Sequence, residues 1–120
     1  MEISKIHDIS ILHLFGEVGF MEIDRIEKIL NSLRRSQHRK VLVDLSATDH
    51  VHYMVIKRLI QKAVEVRGES GDIKLVGPNW ETQEMIRFTG ADQFIEDYAS
   101  ISEAILSFLH QPQHSDREYQ

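Results

Sequence analysis

The stretch "KVLVDLSA" at residues 40–47 limits the possible folds more than any other part of the chain. Four of the five residues from 41 to 45 are apolar, and charged and turn-forming residues flank them. A strand with one face in water alternates apolar and polar residues, whereas a strand covered on both faces is a near-continuous apolar run. The stretch therefore predicts the central strand of a sheet that has helices packed on its faces.

The segments before and after this strand have the patterns of the other elements that such a sheet needs. Residues 2–8 and 10–17 are rich in apolar side chains at short spacing and predict two antiparallel strands. Apolar residues recur at spacings of three and four over about residues 21–35 and 53–67. That spacing is typical of a helix with one buried face, so it predicts one helix before the central strand and one helix after it in the sequence.

The last third of the chain continues the alternation in shorter elements. "IKLVG" predicts a strand, and Asn79 is the expected N-cap of a helix that Gly90 ends in a left-handed conformation. "QFIEDYA" predicts a short final strand, and Ser102 is the expected cap of a last helix that extends to about His110.

Strands and helices that alternate in this way predict an α/β fold, in which parallel strands are joined by helical crossovers. We expect one domain with a mixed, mostly parallel central sheet of about four to five strands and four helices. The chain of 120 residues has room for one such core. The domain is predicted to span residues 1–110, and the polar residues 111–120 are predicted to form a flexible C-terminal tail.

Composition excludes several kinds of partner and site. The formal net charge is −5, and no long basic stripe is present, which argues against nucleic acid as a partner. The chain has no cysteine, so it can form neither a disulfide nor a thiolate metal site. Glu2 lies where a secretory signal would be basic, and no apolar run approaches the roughly 20 residues that cross a bilayer. We therefore expect a cytoplasmic protein without direct membrane insertion.

Several local sequences carry a resemblance to a known family. They are "LFGEV" at 14–18, "VLVDLSATDHV" at 41–51, "IKLVGP" at 73–78 and "IRFTGADQFIEDYASISEAI" at 86–105. Together with the order of elements, they make the chain similar to the STAS domain, the family of bacterial anti-sigma factor antagonists and of the cytoplasmic tails of sulfate transporters. The resemblance covers residues 3–110 and implies the same α/β fold.

The resemblance also marks a motif in which this chain departs from its family. After the third strand the family has Asp, Ser, then Ser or Thr, then Gly, and one of the hydroxyls accepts phosphate from a serine kinase. In register, this chain has His52, Tyr53, Met54 and Val55. All four positions differ, so the phosphoacceptor motif is degenerate and the chain is predicted to lack the usual phosphorylatable serine.

The resemblance implies a non-catalytic interaction domain. Its expected partner is a regulatory protein of the anti-sigma factor or serine kinase-like class. The expected contacts lie in the turn at 49–54 and on the helix that follows it. The predicted partner-binding residues are His50, His52, Tyr53, Met54, Lys57, Arg58 and Gln61. Lys57, Arg58 and Lys62 are basic, so an acidic patch on the partner is expected. A homodimer is also possible.

Two other functions remain open at this point. Some STAS proteins are accessory subunits of lipid-transporting ABC systems and contact the ABC ATPase. Others are suggested to sense a small ligand, such as a nucleotide or another anion. Here Val55, in place of the glycine, would crowd a phosphate that approaches the backbone, which argues against tight binding of this kind.

Catalysis and cofactor binding have little support in the sequence. There is no nucleophile elbow, no glycine-rich phosphate loop and no HExxH helix, so we predict that the chain is not an enzyme. His50 and His52, with Asp49 nearby, could be part of a metal site, but the local sequence offers no convincing third ligand, and we predict neither metal nor cofactor. The basic stretch "RRSQHRK" at 34–40 is explained by the negative end of the preceding helix. Trp80 is either an exposed anchor or a cover for the sheet, and its sequence position allows both.

Overall fold

The computed structural model describes residues 1–110 and has the predicted architecture in that range, with five strands and four helices. The strands are β1 (Glu2–Ile6), β2 (Ile9–Val18), β3 (Lys40–Val51), β4 (Asp72–Val76) and β5 (Asp97–Tyr98). The helices are α1 (Phe20–Arg35), α2 (Tyr53–Arg67), α3 (Trp80–Thr89) and α4 (Ile101–Leu109). The α/β fold class and the mixed sheet predicted from the sequence are thus confirmed. The predicted C-terminal tail, residues 111–120, lies outside the described residues.

The five strands form one sheet in the order β1-β2-β3-β4-β5. β1 runs antiparallel to β2, and Ile3 pairs with Leu12, as expected for two apolar strands joined by a short turn. The other three pairs of strands are parallel. The carboxyl ends of β2, β3 and β4 therefore lie at one edge of the sheet, where α1, α2 and α3 begin.

β3 is longer than the sequence predicts. Residues 40–44 pair with β4, and the strand then continues beside β2 alone as far as the pair Val18 and Val51. Asp49, His50 and Val51 were predicted to lie in a turn, and that prediction is wrong, because the ten residues of β2 provide a long neighbour with free backbone groups.

The core lies on both faces of the sheet. The larger cluster packs α1, α2 and α3 against one face, and its buried side chains include Leu14, Ile26, Val43, Leu59 and Ile86. The smaller cluster packs Ala104 of α4 against Ile9, Ile11, Leu42 and Val76 on the other face. The sheet interior is thus covered on both sides, which is why the run at 41–45 has almost no polar residue.

The helix ends agree with the sequence in α3 and differ in α4. The side chain of Asn79 accepts a hydrogen bond from Thr82 N at 2.9 Å, and Gly90 ends α3 at φ +78°, so both predictions are confirmed. The last helix instead begins two residues earlier than predicted, because Ser100 and not Ser102 accepts the capping bond from Glu103 N. The final strand is limited to two residues, because residues 91–93 form a short 3-10 helix.

None of the helices within residues 1–110 is long and apolar enough to cross a bilayer.

Candidate functional site

We call the candidate site the carboxyl edge: the ends of β2, β3 and β4 and the first turns of α1, α2 and α3. In parallel α/β sheets, ligands and partners commonly bind at this edge because three helices begin there and backbone N–H groups point outward. Here only Gly19 separates β2 from α1, and only His52 separates β3 from α2. Short connections of this kind hold the first helical side chains close to the sheet.

His52 connects two of these helix starts. Its Nδ1 accepts a hydrogen bond from Met54 N at 3.1 Å, so the imidazole is the N-cap of α2. Its backbone N–H donates to the carbonyl of Val18 at 2.9 Å, and its ring contacts the ring of Phe20 with centroids 4.3 Å apart. His52 therefore orients the starts of both α1 and α2.

His50 points in a different direction from His52 and connects β3 to α3. Its Nδ1 lies 2.7 Å from Oε1 of Glu81, and both side chains are exposed. Beside them, the amide of Asn79 donates to the backbone carbonyl of Asp49 at 2.9 Å. The two histidines do not converge, and within residues 1–110 no group of three His, Asp or Glu side chains could hold a metal ion.

The other three positions of the degenerate motif differ in their exposure. Tyr53 is 37% exposed. Met54 is partly buried against the larger core cluster, and Val55 is 1% exposed and packs within it. The motif residues therefore present one aromatic side chain to solvent and contribute two apolar side chains to the core.

The predicted binding residues of α2 fall on two sides of the helix. Lys57 and Gln61 are exposed, in line with Tyr53 one and two turns earlier. Arg58 instead forms an ion pair with Glu27 of α1, and Lys62 donates to the amide oxygen of Asn31 at 3.0 Å. Of the four polar residues Lys57, Arg58, Gln61 and Lys62, the second and the fourth thus face the neighbouring helix.

Sequence reasoning missed two exposed apolar residues at the carboxyl edge and left a third undecided. Phe20 is 63% exposed and Met21 is 91% exposed at the start of α1. Trp80, at the start of α3, is 74% exposed, so it does not cover the sheet. A signal was present in the sequence, since all three stand at the first helical positions, just outside the apolar stripe of the helix.

The amino end of the sheet has a different chemistry. The carboxylate of Glu69 accepts from Arg34 Nε and Nη2 at 2.9 and 2.8 Å, and it lies 3.1 Å from Arg39 Nε. Glu65 accepts from Arg34 and from Lys62. We call these five residues the amino-end network; they line a cavity of about 470 Å³.

The hydrogen bond from Arg34 holds the pKa of Glu69 below its usual range, and the same bond raises the pKa of Arg34. Arg34 and Arg39 of the basic stretch at 34–40 are thus held in ion pairs with Glu65 in α2 and with Glu69 just after α2.

The chain is similar to known proteins both in its sequence pattern and in its fold. A family model described as "STAS domain" matches residues 1–104. No curated protein matches the chain in sequence.

Three solved structures show the same fold at low sequence identity. A protein of Thermotoga maritima assigned as an anti-sigma factor antagonist has a TM-score of 0.84 and 18% identity, over 91% of this chain and 94% of its own. An anti-sigma factor antagonist from Mycobacterium paratuberculosis has a TM-score of 0.80 and 18% identity, over 90% and 92%. The unphosphorylated Bacillus anti-sigma factor antagonist SpoIIAA has a TM-score of 0.74 and 17% identity, over 87% and 91%.

Proposed function

Since the chain belongs to the STAS domain family, we propose that it is a non-catalytic interaction domain, an anti-sigma factor antagonist-like regulator that binds a protein partner at its carboxyl edge. The proposal includes a cytoplasmic location and a partner of the anti-sigma factor or serine kinase-like class. The fold is common to the domain and its structural neighbours, so the argument for this particular site depends on the residues at the edge.

The observation that carries the proposal is the set of large apolar side chains exposed at the carboxyl edge. Phe20, Met21, Tyr53 and Trp80 all stand in the first turn of a helix there. Exposing such side chains to water is unfavourable by roughly 1.5–3 kcal/mol each relative to burial. Aromatic residues are also those that most often dominate binding energy at interfaces. A partner that covers this edge would bury them.

The degenerate motif bears on how such binding would be controlled. A phosphoserine adds about −1.5 to −2 charges at neutral pH, and a serine kinase needs an aliphatic hydroxyl to place it. His52, Tyr53, Met54 and Val55 provide no such hydroxyl. We propose that binding at this edge is not switched by serine phosphorylation of the motif, so the domain is either constantly competent to bind or controlled elsewhere.

The orientation of α2 side chains changes the kind of partner surface that we propose. Arg58 forms an ion pair with Glu27, whereas Lys57 is exposed. A partner would therefore meet mainly apolar surface with one basic residue beside Tyr53. We propose an apolar groove on the partner with a single acidic group at its rim, in place of an extended acidic patch.

The experiment is a pull-down from the native cell with the wild-type chain, a Tyr53→Ala/Lys57→Glu variant and a Phe88→Ala/Lys28→Glu control. The control removes the same residue classes elsewhere, because Phe88 is 93% exposed near the far end of α3 and Lys28 is exposed on α1. We expect the wild type and the control to capture the same regulator and the edge variant to lose it. Incubation with a captured kinase and ATP should leave residues 52–55 without phosphate.

The other outcomes of this pull-down are equally informative. Equal capture by all three proteins would contradict docking at the carboxyl edge. Capture of an ABC ATPase by the wild type and the control would keep the interaction site and replace the proposed class of partner. Phosphate on Tyr53 would contradict the proposed absence of control through the motif.

A further inference from the structure

A chain of polar side chains crosses three neighbouring strands on the sheet face that carries α4. Oγ of Ser4 in β1 lies 2.8 Å from Nε2 of His13 in β2. Nδ1 of the same imidazole lies 2.7 Å from Oδ2 of Asp44 in β3. These residues are far apart in sequence, and strand register brings them together, because Glu2 and Asp44 are the partners of His13 on either side.

Asp44, at one end of this series of hydrogen-bonded side chains, is fixed and ionised. The residue is 8% exposed, and its Oδ1 accepts from Ser46 N at 3.0 Å and from Ser46 Oγ at 2.7 Å. Burial opposes ionisation, but the hydrogen bonds from Ser46 and His13 outweigh it and hold the pKa of Asp44 below its ordinary value. A carboxylate in this state only accepts hydrogen bonds.

The ionised carboxylate determines which nitrogen of His13 carries the proton. Because Asp44 can only accept, Nδ1 of the neutral ring is the donor and Nε2 is left with its lone pair. Nε2 then accepts from the hydroxyl of Ser4. The directions of the bonds are those of a nucleophilic serine, a general base and a carboxylate that orients the base.

The Ser4 end of this series of hydrogen-bonded side chains is open to solvent. Ser4 lies in a strand whose five residues are all exposed, and the side chain of His13 is 22% exposed. A small reagent can reach Ser4 Oγ while Asp44 stays beneath the surface. Holding β1 in place would need only a hydrogen bond between Ser4 and His13; the buried, threefold-bonded Asp44 behind the imidazole is what a proton-accepting role adds.

We propose that Ser4 is a covalent acceptor site that takes one acyl group from an activated acyl donor, such as a thioester, with His13 as its general base and Asp44 as the residue that positions His13. This inference goes beyond the proposed docking function and concerns a different face of the molecule.

The transfer step balances without a further reactant. Ser4 Oγ forms a bond to the acyl carbon while its proton moves to Nε2 of His13, and the carbon–sulfur bond of the thioester breaks. The departing thiolate takes the proton from His13. The products are the Ser4 ester and a free thiol, and His13 returns to its neutral tautomer.

The position of Ser4 predicts one modification per chain in place of repeated turnover. Acyl-transfer enzymes commonly place the nucleophile on a sharp strand-to-helix turn, where backbone N–H groups stabilise the oxyanion. Ser4 instead lies inside β1, which is paired along its length with β2. Reaction therefore requires an activated donor, and the ester that forms persists.

The test uses the purified full-length chain and p-nitrophenyl acetate, with acetylated residues located and timed by peptide mass spectrometry. The exposed Ser102 is an internal reference within the same molecule. We expect Ser4 to be acetylated at least about 100-fold faster than Ser102, the enhancement that a positioned general base typically gives. Ser4→Ala should remove the adduct, and Ser102→Ala, which lies outside the Ser4, His13 and Asp44 contacts, should leave the rate at Ser4 unchanged.

Variants of the base and of its positioning residue separate chemistry from structure. His13→Ala should lower the rate about 100-fold, and added imidazole should restore part of it, which a purely structural role of His13 would not allow. Asp44→Asn can donate to Nδ1 and so favour the wrong tautomer, which should also slow the reaction. Thermal melts confirm that each variant is folded.

Ser4 acetylation that is no faster than that of Ser102, or that is unchanged in folded His13→Ala protein, would overturn the proposal. No partner protein is present, so the result is independent of the proposed docking function.

Discussion

The two ends of the sheet differ in whether their surface side chains have partners within the domain. At the carboxyl edge, hydrogen-bonding groups are used to begin helices, as in the caps by His52 and Asn79, and large apolar side chains are left in water. In the amino-end network, cations at and just after the end of α1 are paired with carboxylates at and just after the end of α2. The carboxyl edge thus has exposed apolar side chains, whereas the charged side chains of the amino-end network are already paired.

In a small domain whose fold is shared by many proteins, this contrast indicates which surface residues are available to a partner. Residues that satisfy one another add to the stability of the folded chain and have little left to offer a second molecule. Residues that the fold leaves exposed at a cost are better candidates for contact with a partner. Four predictions test this division, and the strongest comes first.

The largest effect should come from single alanine substitutions of Tyr53 and Trp80. Each is expected to weaken partner binding by about 2 kcal/mol, which is roughly 30-fold in Kd, because exposed aromatic residues that become buried dominate interfaces. Unfolding free energy should change little in Trp80→Ala, since Trp80 is 74% exposed, and somewhat more in Tyr53→Ala, since Tyr53 is 37% exposed. Titration calorimetry with the captured partner measures the first effect and urea unfolding the second. A loss of the same size in Phe88→Ala would remove the distinction between the carboxyl edge and the rest of α3.

Asp72→Ala should show the reverse pattern at the amino end. Asp72 is 5% exposed, and its Oδ1 accepts from Ile73 N and from Arg67 Nε, both at 2.8 Å. Leaving these donors without an acceptor should destabilise the domain by about 2 kcal/mol. Partner affinity of the protein that remains folded should be unchanged. Urea unfolding checks the stability, and weakened binding by fully folded protein would show that the two ends are coupled.

His52 should separate the structural part of the carboxyl edge from its binding part. His52→Ala removes the N-cap of α2 and is expected to lower the free energy of unfolding by about 1 kcal/mol. His52→Ser keeps a capping oxygen and should recover most of that loss. Thermal unfolding of the pair measures the cap, and equal melting temperatures for the two variants would mean that the contact with Phe20 outweighs the cap.

The smallest effect concerns pH and the amino-end network. The folded state lowers the pKa of Glu69 from its ordinary value of 4.5, so Glu69 adds stability above that pH and loses it as the pH falls through the lower folded value. Glu69→Gln should therefore flatten the decline of stability in acid. The difference from wild type should shrink at about 1 M salt, because the ion pair is partly exposed and salt screens it. Melting curves from neutral to acidic pH test this, and identical acid profiles would contradict it.

The sequence was sufficient for the elements and their order, because helix and strand periods are local. The run at 41–45 identified the central strand, and Asn79 and Gly90 marked the ends of α3. The extension of β3 was missed because it depends on the length of β2, which is a non-local partner. Ser100 and Ser102 are equally suitable caps by residue type, and only the packing of α4 selects the first.

Side-chain direction was the other quantity that the sequence did not contain. Arg58 and Lys62 are basic residues of α2 that the helical pattern allows to be exposed, but the close packing of α1 turns them toward Glu27 and Asn31. The chain from Ser4 through His13 to Asp44 depends wholly on strand register. The contribution of Tyr53 and its neighbours to partner binding stays a prediction.

The burial of Val55 limits the sequence changes by which a lineage of such proteins could recover a phosphoacceptor. A hydroxyl could be introduced at position 53 or 54 by one substitution, but the motif also has glycine at position 55, where this chain has a side chain that is 1% exposed within the core. Removing it would cost about 1.5–3 kcal/mol of burial, and glycine in a helix costs about 1 kcal/mol more. If the motif is degenerate as we propose, gaining its full form would therefore pass through a less stable intermediate, which would make a phosphorylation switch difficult to reach by single mutations.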